Sequence, residues 1–249
     1  MMERRPGKVV ATIEARMRST RLPGKVMREA CGRPLLALMV ERVRRARTVD
    51  EVVVATTADA ADDPIAALAG RLKVSVHRGP EQDVLRRVHD AAVSAGAGVI
   101  VELTGDCPLI DPALIDAAVE QFFAQPCDYV SNCRVPGLPL GMAVEVFSLE
   151  LLQVADREGR RPEDREHVSW FFIRQPERFR LVDVPVRPQH HAPDLRLTVD
   201  EEPDYRLVRM VFETLYPQKT DFDCADIVDL LRRRPELAAI NAHVQQRVI

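Results

Sequence analysis

Residues 9–25 read VVATIEARMRSTRLPGK, and this stretch decides the fold and indicates the kind of ligand. Its first part, residues 9–13, is apolar and partly β-branched, which predicts a buried strand. Four permanent cations follow that strand within ten residues, in a chain whose formal net charge is −3. Guanidinium groups bind phosphate oxygens in pairs, so a strand that leads into a cationic loop predicts a polyphosphate site. The four cations are Arg16, Arg18, Arg21 and Lys25.

The cationic loop differs from the two commonest nucleotide-binding loops. Pro23 and Gly24 stiffen it and allow its backbone to approach a ligand. Lys25 is followed by Val26 and no glycine stands at the upstream position, so the loop is not a Walker loop. No G-x-G-x-x-G occurs either, which argues against a dinucleotide fold of the dehydrogenase kind. The alternative for these residues is a solvated basic turn.

Composition predicts a globular protein with a sizeable core. The chain has 249 residues, of which 46% are hydrophobic and 29% charged. The negative net charge argues against a nucleic-acid partner, and no apolar run is long enough to span a membrane. The five cysteines are odd in number and include no C-x-x-C pair, which argues against a disulfide framework and predicts a cytoplasmic location.

In the first half of the chain, short β-rich runs alternate with helical patterns. Such alternation is typical of parallel βαβ units, so the predicted fold class is α/β, Rossmann-like, with helices on both faces of a mostly parallel sheet. Ligands bind at the carboxyl ends of the strands in such sheets, and the cationic loop follows one of these ends. The predicted strands are 9–13, 51–55, 74–77, 99–103 and 128–131, and the helices are 34–46, 61–72, 83–95 and 111–124.

The second half of the chain is less regular, but no linker divides it from the first. We therefore expect a single domain over residues 1–249, with an inserted dimerisation or acceptor arm around 134–191 and a helical tail over 217–249. The predicted strands here are 143–147, 179–186 and 195–199, and the helices are 148–158, 164–175, 201–215, 224–233 and 235–246.

Two aspartates follow or end predicted strands and are candidate ligands for Mg²⁺. Asp106 lies in the loop TGDCPLI, residues 104–110, and Asp200 lies in TVDEEPD, residues 198–204. Carboxylates at the rim of a sheet can hold Mg²⁺ against phosphates. The alternative role for Asp106 is that of a turn residue or a helix cap, but Asp111 fits the cap better because Pro112 follows it. Asp200 has the alternative of capping the helix that begins near residue 201.

Taken together, these motifs resemble those of cytidylyltransferases. The ordered set is ARMRSTRLPGK at 15–25, VVATT at 53–57, TGDCPLID at 104–111, DREHV at 164–168 and TVD with DY at 198–205. The resemblance is closest to the group called spore coat polysaccharide biosynthesis protein F. The chain is more distantly similar to the cytidylyltransferases that activate ketodeoxyoctonate and acylneuraminate sugars. The resemblance extends to about Tyr216, and the tail lies outside it.

The resemblance implies the fold of nucleotide-diphospho-sugar transferases, a homodimer, and transfer of CMP from CTP with Mg²⁺ as cofactor. It implies that Arg16, Arg21 and Lys25 are the catalytic residues that hold the triphosphate. It also implies that Asp106 and Asp200 bind the metal. The nucleotide-binding residues that it implies are Ala15, Ser19, Thr20, Thr56, Gly79 and Asp83.

The resemblance also implies a small acceptor, for which a sugar acid or another anion is expected. Glu145, Arg165 and His167 match acceptor positions of the family, and an arginine or histidine suits an anionic acceptor. The alternative is that Arg165 forms an ordinary helix-surface pair and that His167 is a packed core residue.

Three residues depart from the family pattern. Arg18 stands where a glycine is usual, Glu14 where a glutamine is frequent, and Ala143 where an aspartate is expected. The missing aspartate leaves open an acceptor of another kind, such as a phosphonate or a polyol phosphate. Transfer from UTP or another nucleotide, and a nucleotide-binding protein without turnover, are the remaining alternatives.

Overall fold

The computed structural model of the protein describes residues 7–246 and contains a seven-stranded sheet. Its strands follow the order β5-β4-β1-β6-β8-β7-β9, and the pair β2 and β3 forms a separate small hairpin. Only β8 runs antiparallel to its neighbours, which confirms the mostly parallel α/β sheet predicted from the sequence. The strands are β1 Lys8–Glu14, β2 Glu29–Ala30, β3 Arg33–Pro34, β4 Glu51–Thr57, β5 Ser75–Gly79, β6 Ala97–Thr104, β7 Tyr129–Ser131, β8 Glu145–Ser148 and β9 Leu181–Asp183.

Helices cover both faces of the sheet. Val9, Ala11 and Ile13 of β1 pack into one core with helices α1, α2, α4, α8 and α9, whereas Val10 packs into a second core with α3, α5 and α7. Burial on both faces explains why β1 is a nearly continuous apolar run. Within residues 7–246, no helix has the length and apolar character to cross a membrane. The helices are α1 Leu35–Val43, α2 Asp63–Leu72, α3 Val84–Ser94, α4 Pro112–Ala124, α5 Leu149–Glu158, α6 Pro162–Glu166, α7 Trp170–Ile173, α8 Glu202–Leu215, α9 Cys224–Arg233 and α10 Pro235–Ala238.

Asp111 caps α4, as predicted. Its Oδ1 accepts a hydrogen bond of 2.8 Å from the backbone N–H of Ala113, and Pro112 occupies the first turn. Its Oδ2 accepts a second bond, of 2.9 Å, from the N–H of Cys224 at the start of α9. Because Asp111 takes the cap position, Asp106 is not needed there.

Four predicted elements of the second half are wrong in extent or type. Of the strand expected over 179–186, only Leu181–Asp183 forms. The helix expected over 164–175 is two short helices, because His167 adopts an extended backbone (φ −114°, ψ 104°) that ends α6. The strand expected over 195–199 makes only an isolated bridge, between Arg196 and Leu140, and does not join the sheet. The helix expected over 235–246 ends at Ala238.

The segment 134–191 contributes β8 and β9 to the main sheet. Its role as a dimerisation arm stays a prediction. Because β8 is antiparallel, it begins at Glu145 on the edge where β1, β4, β5 and β6 end. We call this edge of the sheet the carboxyl rim.

Candidate active site

Backbone hydrogen bonds fasten the cationic loop, residues 15–25, to the carboxyl rim. The N–H of Ala15 donates to the carbonyl oxygen of Ala55 on β4 at 3.1 Å. The N–H of Gly24, which has φ of 70°, donates to the carbonyl of Met17 at 2.8 Å and closes the loop on itself. The loop is therefore a fixed part of the rim rather than a free basic turn.

A buried carboxylate, Asp62, also holds the loop. Its Oδ1 accepts from the N–H of Met17 at 2.7 Å and its Oδ2 from the N–H of Thr57 at 3.1 Å. Burial alone would raise the pKa of Asp62, but the bonds from Thr57 and Met17 hold it below its ordinary value. Sequence reasoning missed this role, because residues 61–72 were predicted only to form a helix.

Lys25 brings the two predicted metal carboxylates together. Its Nζ lies 2.8 Å from Asp106 Oδ2 and 3.0 Å from Asp200 Oδ1, although the two aspartates come from distant parts of the chain. The segments that carry them are joined because the N–H of Val199 donates to the carbonyl of Asp106 at 2.8 Å. Such a junction is visible only in the folded chain.

The charges of this cluster stabilise one another. Burial alone would raise the pKa of Asp106, but Lys25 holds it below its ordinary value, with help from Thr104 and Cys107. Burial alone would lower the pKa of Lys25, but Asp106 and Asp200 raise it. Asp106 is therefore ionised and Lys25 protonated at neutral pH.

Two arginines hold the carboxylate of Asp200. Arg21 Nη2 lies 2.8 Å from its Oδ1, and Arg196 Nη2 lies 2.8 Å from its Oδ2. The alternative of a helix cap is not what the structure shows, because Glu201 occupies the N-cap of α8. Asp204 Oδ2 accepts from the N–H groups of Asp200 and Glu201, both at 3.0 Å.

A buried network behind Asp200 extends into the tail. Arg196 Nε lies 2.9 Å from Asp204 Oδ1, and Asn241 Nδ2 donates to the same oxygen at 2.8 Å and to the carbonyl of Arg196 at 3.0 Å. Asp204 is fully buried and Asn241 nearly so. Asp204 lies inside a motif that the sequence singled out, but nothing in the sequence indicated a role for Asn241.

The other two cations of the loop lie on the β4 side of the rim. Arg16 Nη1 is 3.9 Å from Glu81 Oε1, and Arg18 Nη1 is 2.8 Å from Asp59 Oδ2. Both side chains are well exposed, at 40% and 59%. The four cations are thus divided into a half-buried pair at the aspartates and an exposed pair nearer β5.

The remaining residues predicted to bind nucleotide occupy different depths. Ser19 and Thr20 lie on the loop surface, whereas Thr56 is fully buried, which places it beneath the rim rather than on it. Gly79 ends β5 and packs closely on Arg87, since a Cβ built there would lie 3.0 Å from the Arg87 Cγ. Asp83 caps α3 and accepts from the N–H of Arg86 at 3.0 Å.

The predicted acceptor residues are not gathered at one place. Arg165 is held by Asp83 at 2.6 Å and by Asp156 at 2.8 Å, so its charge is already paired between helices. The ring of His167 lies 5.8 Å from that of Trp170. Glu145 alone of the three lies on the carboxyl rim.

Glu145 has two carboxylate neighbours that sequence reasoning did not assign to the site. Glu102 of β6 lies directly opposite Glu145, and Glu14 ends β1 beside it. Burial, followed by the charges of Glu14 and Glu145, raises the pKa of Glu102 well above its ordinary value. Burial also raises the pKa of Glu14. The available signal was a glutamate inside the apolar run VIVELT, residues 99–104.

Cys107 does not act as a nucleophile in this structure. Burial and the neighbouring charge of Asp106 raise the pKa of its thiol to about 12, so the thiolate is not formed at neutral pH. Its Sγ lies 3.3 Å from Thr104 Oγ1. The side chain therefore fills the loop between β6 and α4.

A mostly parallel sheet that carries a cationic loop and paired carboxylates at its carboxyl rim places the protein in the nucleotidyltransferase class. A family model described as cytidylyltransferase matches residues 10–226. The chain therefore belongs to the cytidylyltransferase family.

Relatives and a solved structure agree with this assignment. The chain is 32% identical over 235 residues to the spore coat polysaccharide biosynthesis protein SpsF of Bacillus subtilis, covering 92% of this chain and 96% of that protein. It is 37% identical to the 3-deoxy-manno-octulosonate cytidylyltransferase of Geobacter sulfurreducens over 118 residues, 47% of this chain and 46% of that protein. The structure of a cytidylyltransferase from Leptospira borgpetersenii superposes with a TM-score of 0.88 at 32% identity, covering 97% of this chain and 99% of that one.

Proposed function

We propose that the protein transfers CMP from CTP to a small anionic acceptor, such as a sugar acid, and releases pyrophosphate with the help of Mg²⁺. The observation that carries the proposal is the contact of Lys25 with both Asp106 and Asp200 at the carboxyl rim. Lys25 marks a position where a cation is held between two carboxylates and where phosphate oxygens would meet positive charge.

The donor set at this position fits Mg²⁺ bound together with a nucleotide. Within residues 7–246, no three His, Cys, Asp or Glu side chains are grouped so as to hold a metal ion by themselves. Mg²⁺ in nucleotide enzymes typically uses one or two carboxylates and takes its other ligands from phosphates and water. Asp106 and Asp200 supply that number of carboxylates.

The cations of the loop would divide the work of binding the triphosphate. Arg21 and Lys25 lie at the aspartates and would contact the oxygens of the departing pyrophosphate. Arg16 is exposed and only loosely paired with Glu81, so it is available for a further phosphate oxygen. Bound Mg²⁺ would neutralise charge that develops on the phosphates.

In the proposed reaction, an oxygen of the acceptor attacks the α-phosphorus of CTP in line with the bond to the leaving group. The bond between the α-phosphorus and the bridging oxygen breaks, and pyrophosphate leaves. The protein contributes positioning and fixed charge rather than a covalent intermediate, in keeping with a protonated Cys107.

We also propose that the protein acts as a homodimer in the cytoplasm. The dimer is expected from the family resemblance. The five cysteines are all free in the structure, which supports a reducing compartment.

The role of the carboxylates is tested with Asp106→Asn. We expect pyrophosphate release to fall about 100-fold or more, because the neutral amide no longer offsets the positive charge gathered at this position. The variant should still bind CTP, as measured by the thermal shift that CTP causes. Asp229→Asn is the matched control, because Asp229 is an exposed partner of Arg233 on α9 and should leave the rate unchanged. Undiminished turnover in Asp106→Asn contradicts the assignment.

The choice of nucleotide is tested by thermal shifts with the four nucleoside triphosphates in Mg²⁺. We expect CTP to give the largest stabilisation, since only a ligand that binds the native state raises the melting temperature. A larger shift with UTP would contradict the assignment of CTP. Tight CTP binding without pyrophosphate release over a broad acceptor panel would indicate a nucleotide-binding protein without turnover.

A further inference from the structure

Four carboxylates form a row across the rim, beyond the proposed metal site. The row runs over β1, β6, β8 and β9, and Ser131 of β7 completes it. The register places Glu145 opposite Glu102 on one side and opposite Ser131 on the other, with Asp183 next to Ser131. All these side chains therefore lie on one face of the sheet. We call Glu14, Glu102, Glu145 and Asp183 the acidic row.

The cations near the acidic row are fewer than its carboxylates. Arg87 lies close enough to Glu14 to affect its pKa, but Arg87 Nη1 donates to the carbonyl oxygen of Pro80 at 2.6 Å. Arg134 Nη1 is 3.6 Å from Asp183 Oδ1. Arg165, the cation that the sequence assigned to the acceptor, is paired with Asp83 and Asp156 instead.

Unpartnered buried polar atoms border the row. Thr12 lies opposite Glu102. Tyr129 lies two residues before Ser131 on β7, so the two side chains are on the same face of the sheet. Both side chains are fully buried. The hydroxyl of Thr12 has no hydrogen-bond partner within residues 7–246, and the hydroxyl of Tyr129 interacts with Ser131 and Glu145 but makes no hydrogen bond of good geometry within that range. The Oε2 of Glu145 is likewise buried and makes no hydrogen bond of good geometry within the described residues. Native proteins rarely leave such groups unsatisfied, so their concentration here indicates a ligand that supplies hydrogen-bond donors.

The row begins next to the proposed reaction centre and leads away from the nucleotide side. The N–H of Gly105, which directly precedes Asp106, donates to the carbonyl oxygen of Glu14 at 2.8 Å, so Glu14 and Asp106 are neighbours. The cationic loop joins β4 on one side of β1, whereas β6, β8, β7 and β9 continue on the other. An acceptor whose oxygen attacks the α-phosphorus of CTP beside Asp106 would therefore lie along the row.

We propose that the acceptor carries a primary ammonium group in addition to its anionic group, and that the acidic row binds this ammonium. This inference rests on the proposed function and names the substrate class of the same site. An ammonium has three donors and no acceptor, which matches carboxylates that can only accept when ionised. Burial and mutual repulsion raise the pKa values of Glu14 and Glu102, and a bound ammonium would relieve that repulsion, whereas a neutral hydroxyl would not. During transfer the acceptor oxygen attacks the α-phosphorus and pyrophosphate leaves. A hydroxyl acceptor gives its proton to solvent, and the ammonium keeps its protons.

The test compares acceptors that differ only in the amine. The protein, CTP and Mg²⁺ are mixed with three matched pairs: an aminoalkylphosphonate and the alkylphosphonate, an amino sugar phosphate and the sugar phosphate, and an amino sugar acid and the sugar acid. Pyrophosphate release gives kcat/KM, and calorimetry in the presence of CTP gives binding. We expect the amine member of at least one pair to be preferred about tenfold or more, as one charge-assisted contact would provide.

Glu145→Gln tests which residues provide the preference. The variant should lose most of the preference for the amine while its KM for CTP stays unchanged. Tyr129→Phe is a second variant for the case that Glu145→Gln folds poorly, and Glu150→Gln, exposed on α5, is the control. The inference is overturned if no pair shows a preference for the amine in turnover or binding, or if both variants keep the preference. Failure of the proposed function is distinguishable, because CTP would then give no thermal shift.

Discussion

At the scale of single residues, Asp62 shows how a carboxylate outside the reaction centre shapes the site. It accepts hydrogen bonds from the N–H groups of Met17 and Thr57 and thereby connects the cationic loop with the end of β4. Removing an acceptor from buried donors leaves those donors unsatisfied. The position of the loop cations therefore depends on this side chain.

We expect Asp62→Asn to destabilise the protein by about 1–3 kcal/mol and to raise the KM for CTP, because one oxygen that accepts from the backbone becomes an amide donor. Urea unfolding and pyrophosphate release measure the two effects. The pKa of Asp62 is held below the ordinary aspartate value of 3.8, so its stabilisation is fully present above that pH and is lost as the pH falls through the lower folded pKa. The difference in free energy of unfolding between the variant and the wild type should therefore shrink only at acidic pH.

Asp63→Asn is the control for this prediction. Asp63 is exposed and its Oδ1 pairs with Arg78 Nη1 at 2.6 Å, so its loss should change stability by less than about 1 kcal/mol. Equal effects of the two substitutions would contradict the role given to Asp62.

At the scale of elements, the end of β6 determines where Asp106 lies. Gly105 directly precedes Asp106, and its N–H donates to the carbonyl oxygen of Glu14 at 2.8 Å. A Cβ built at Gly105 would lie 2.4 Å from that oxygen. Only glycine permits β1 and the loop after β6 to approach this closely.

We expect Gly105→Ala to cost about 1–3 kcal/mol of stability, because the added carbon forces the two backbones apart. Pyrophosphate release should fall by about tenfold or more, since a displacement of about 1 Å at a reaction centre can cost about 100-fold in rate. Thermal unfolding and initial rates provide the measurements. Gly70→Ala on α2, where nothing lies within 4 Å of the new Cβ, should instead be neutral or stabilise by up to about 1 kcal/mol. Wild-type rates in Gly105→Ala would argue against close approach as the reason for this glycine.

At the scale of the whole molecule, the tail completes the support of Asp200. Asn241 lies beyond the matched family region of 10–226, yet it bonds both Arg196 and Asp204 behind that carboxylate. The network connects the rim, α8 and the turn after α10. Groups that hold a metal-binding carboxylate influence metal affinity as well as stability.

We expect Asn241→Ala to lower stability by about 1–3 kcal/mol and to raise the Mg²⁺ concentration needed for half-maximal rate by about tenfold. Thermal unfolding without metal and a Mg²⁺ titration separate the two effects. His243→Ala, two residues further at an exposed position, should change stability by no more than about 0.5 kcal/mol. An unchanged Mg²⁺ requirement in a folded Asn241→Ala would show that the tail supports the fold alone.

Sequence-based predictions are correct where the structure depends on neighbouring residues and fail where it depends on residues distant in the chain. The buried strand β1 and the cap at Asp111 depend on neighbouring residues, and both are found as predicted. The region 164–175 also has helical residues, but the extended backbone at His167 breaks it. The run 195–199 has strand character but forms only an isolated bridge with Leu140, because Val199 bonds the carbonyl of Asp106 and the carbonyl of Arg196 accepts from Asn241. In the second of these regions tertiary contacts override local preference.

The sequence by itself determined the class of fold and the type of chemistry, because hydrophobic periodicity and the cationic loop are properties of contiguous residues. Only the tertiary structure decided which charges meet. It joined Lys25 to Asp106 and Asp200, paired Arg165 with Asp83, and aligned Glu14, Glu102 and Glu145 across three strands. The physical reason is that electrostatic interaction depends on distance in space, and strand order and register bring together residues that are far apart in the chain.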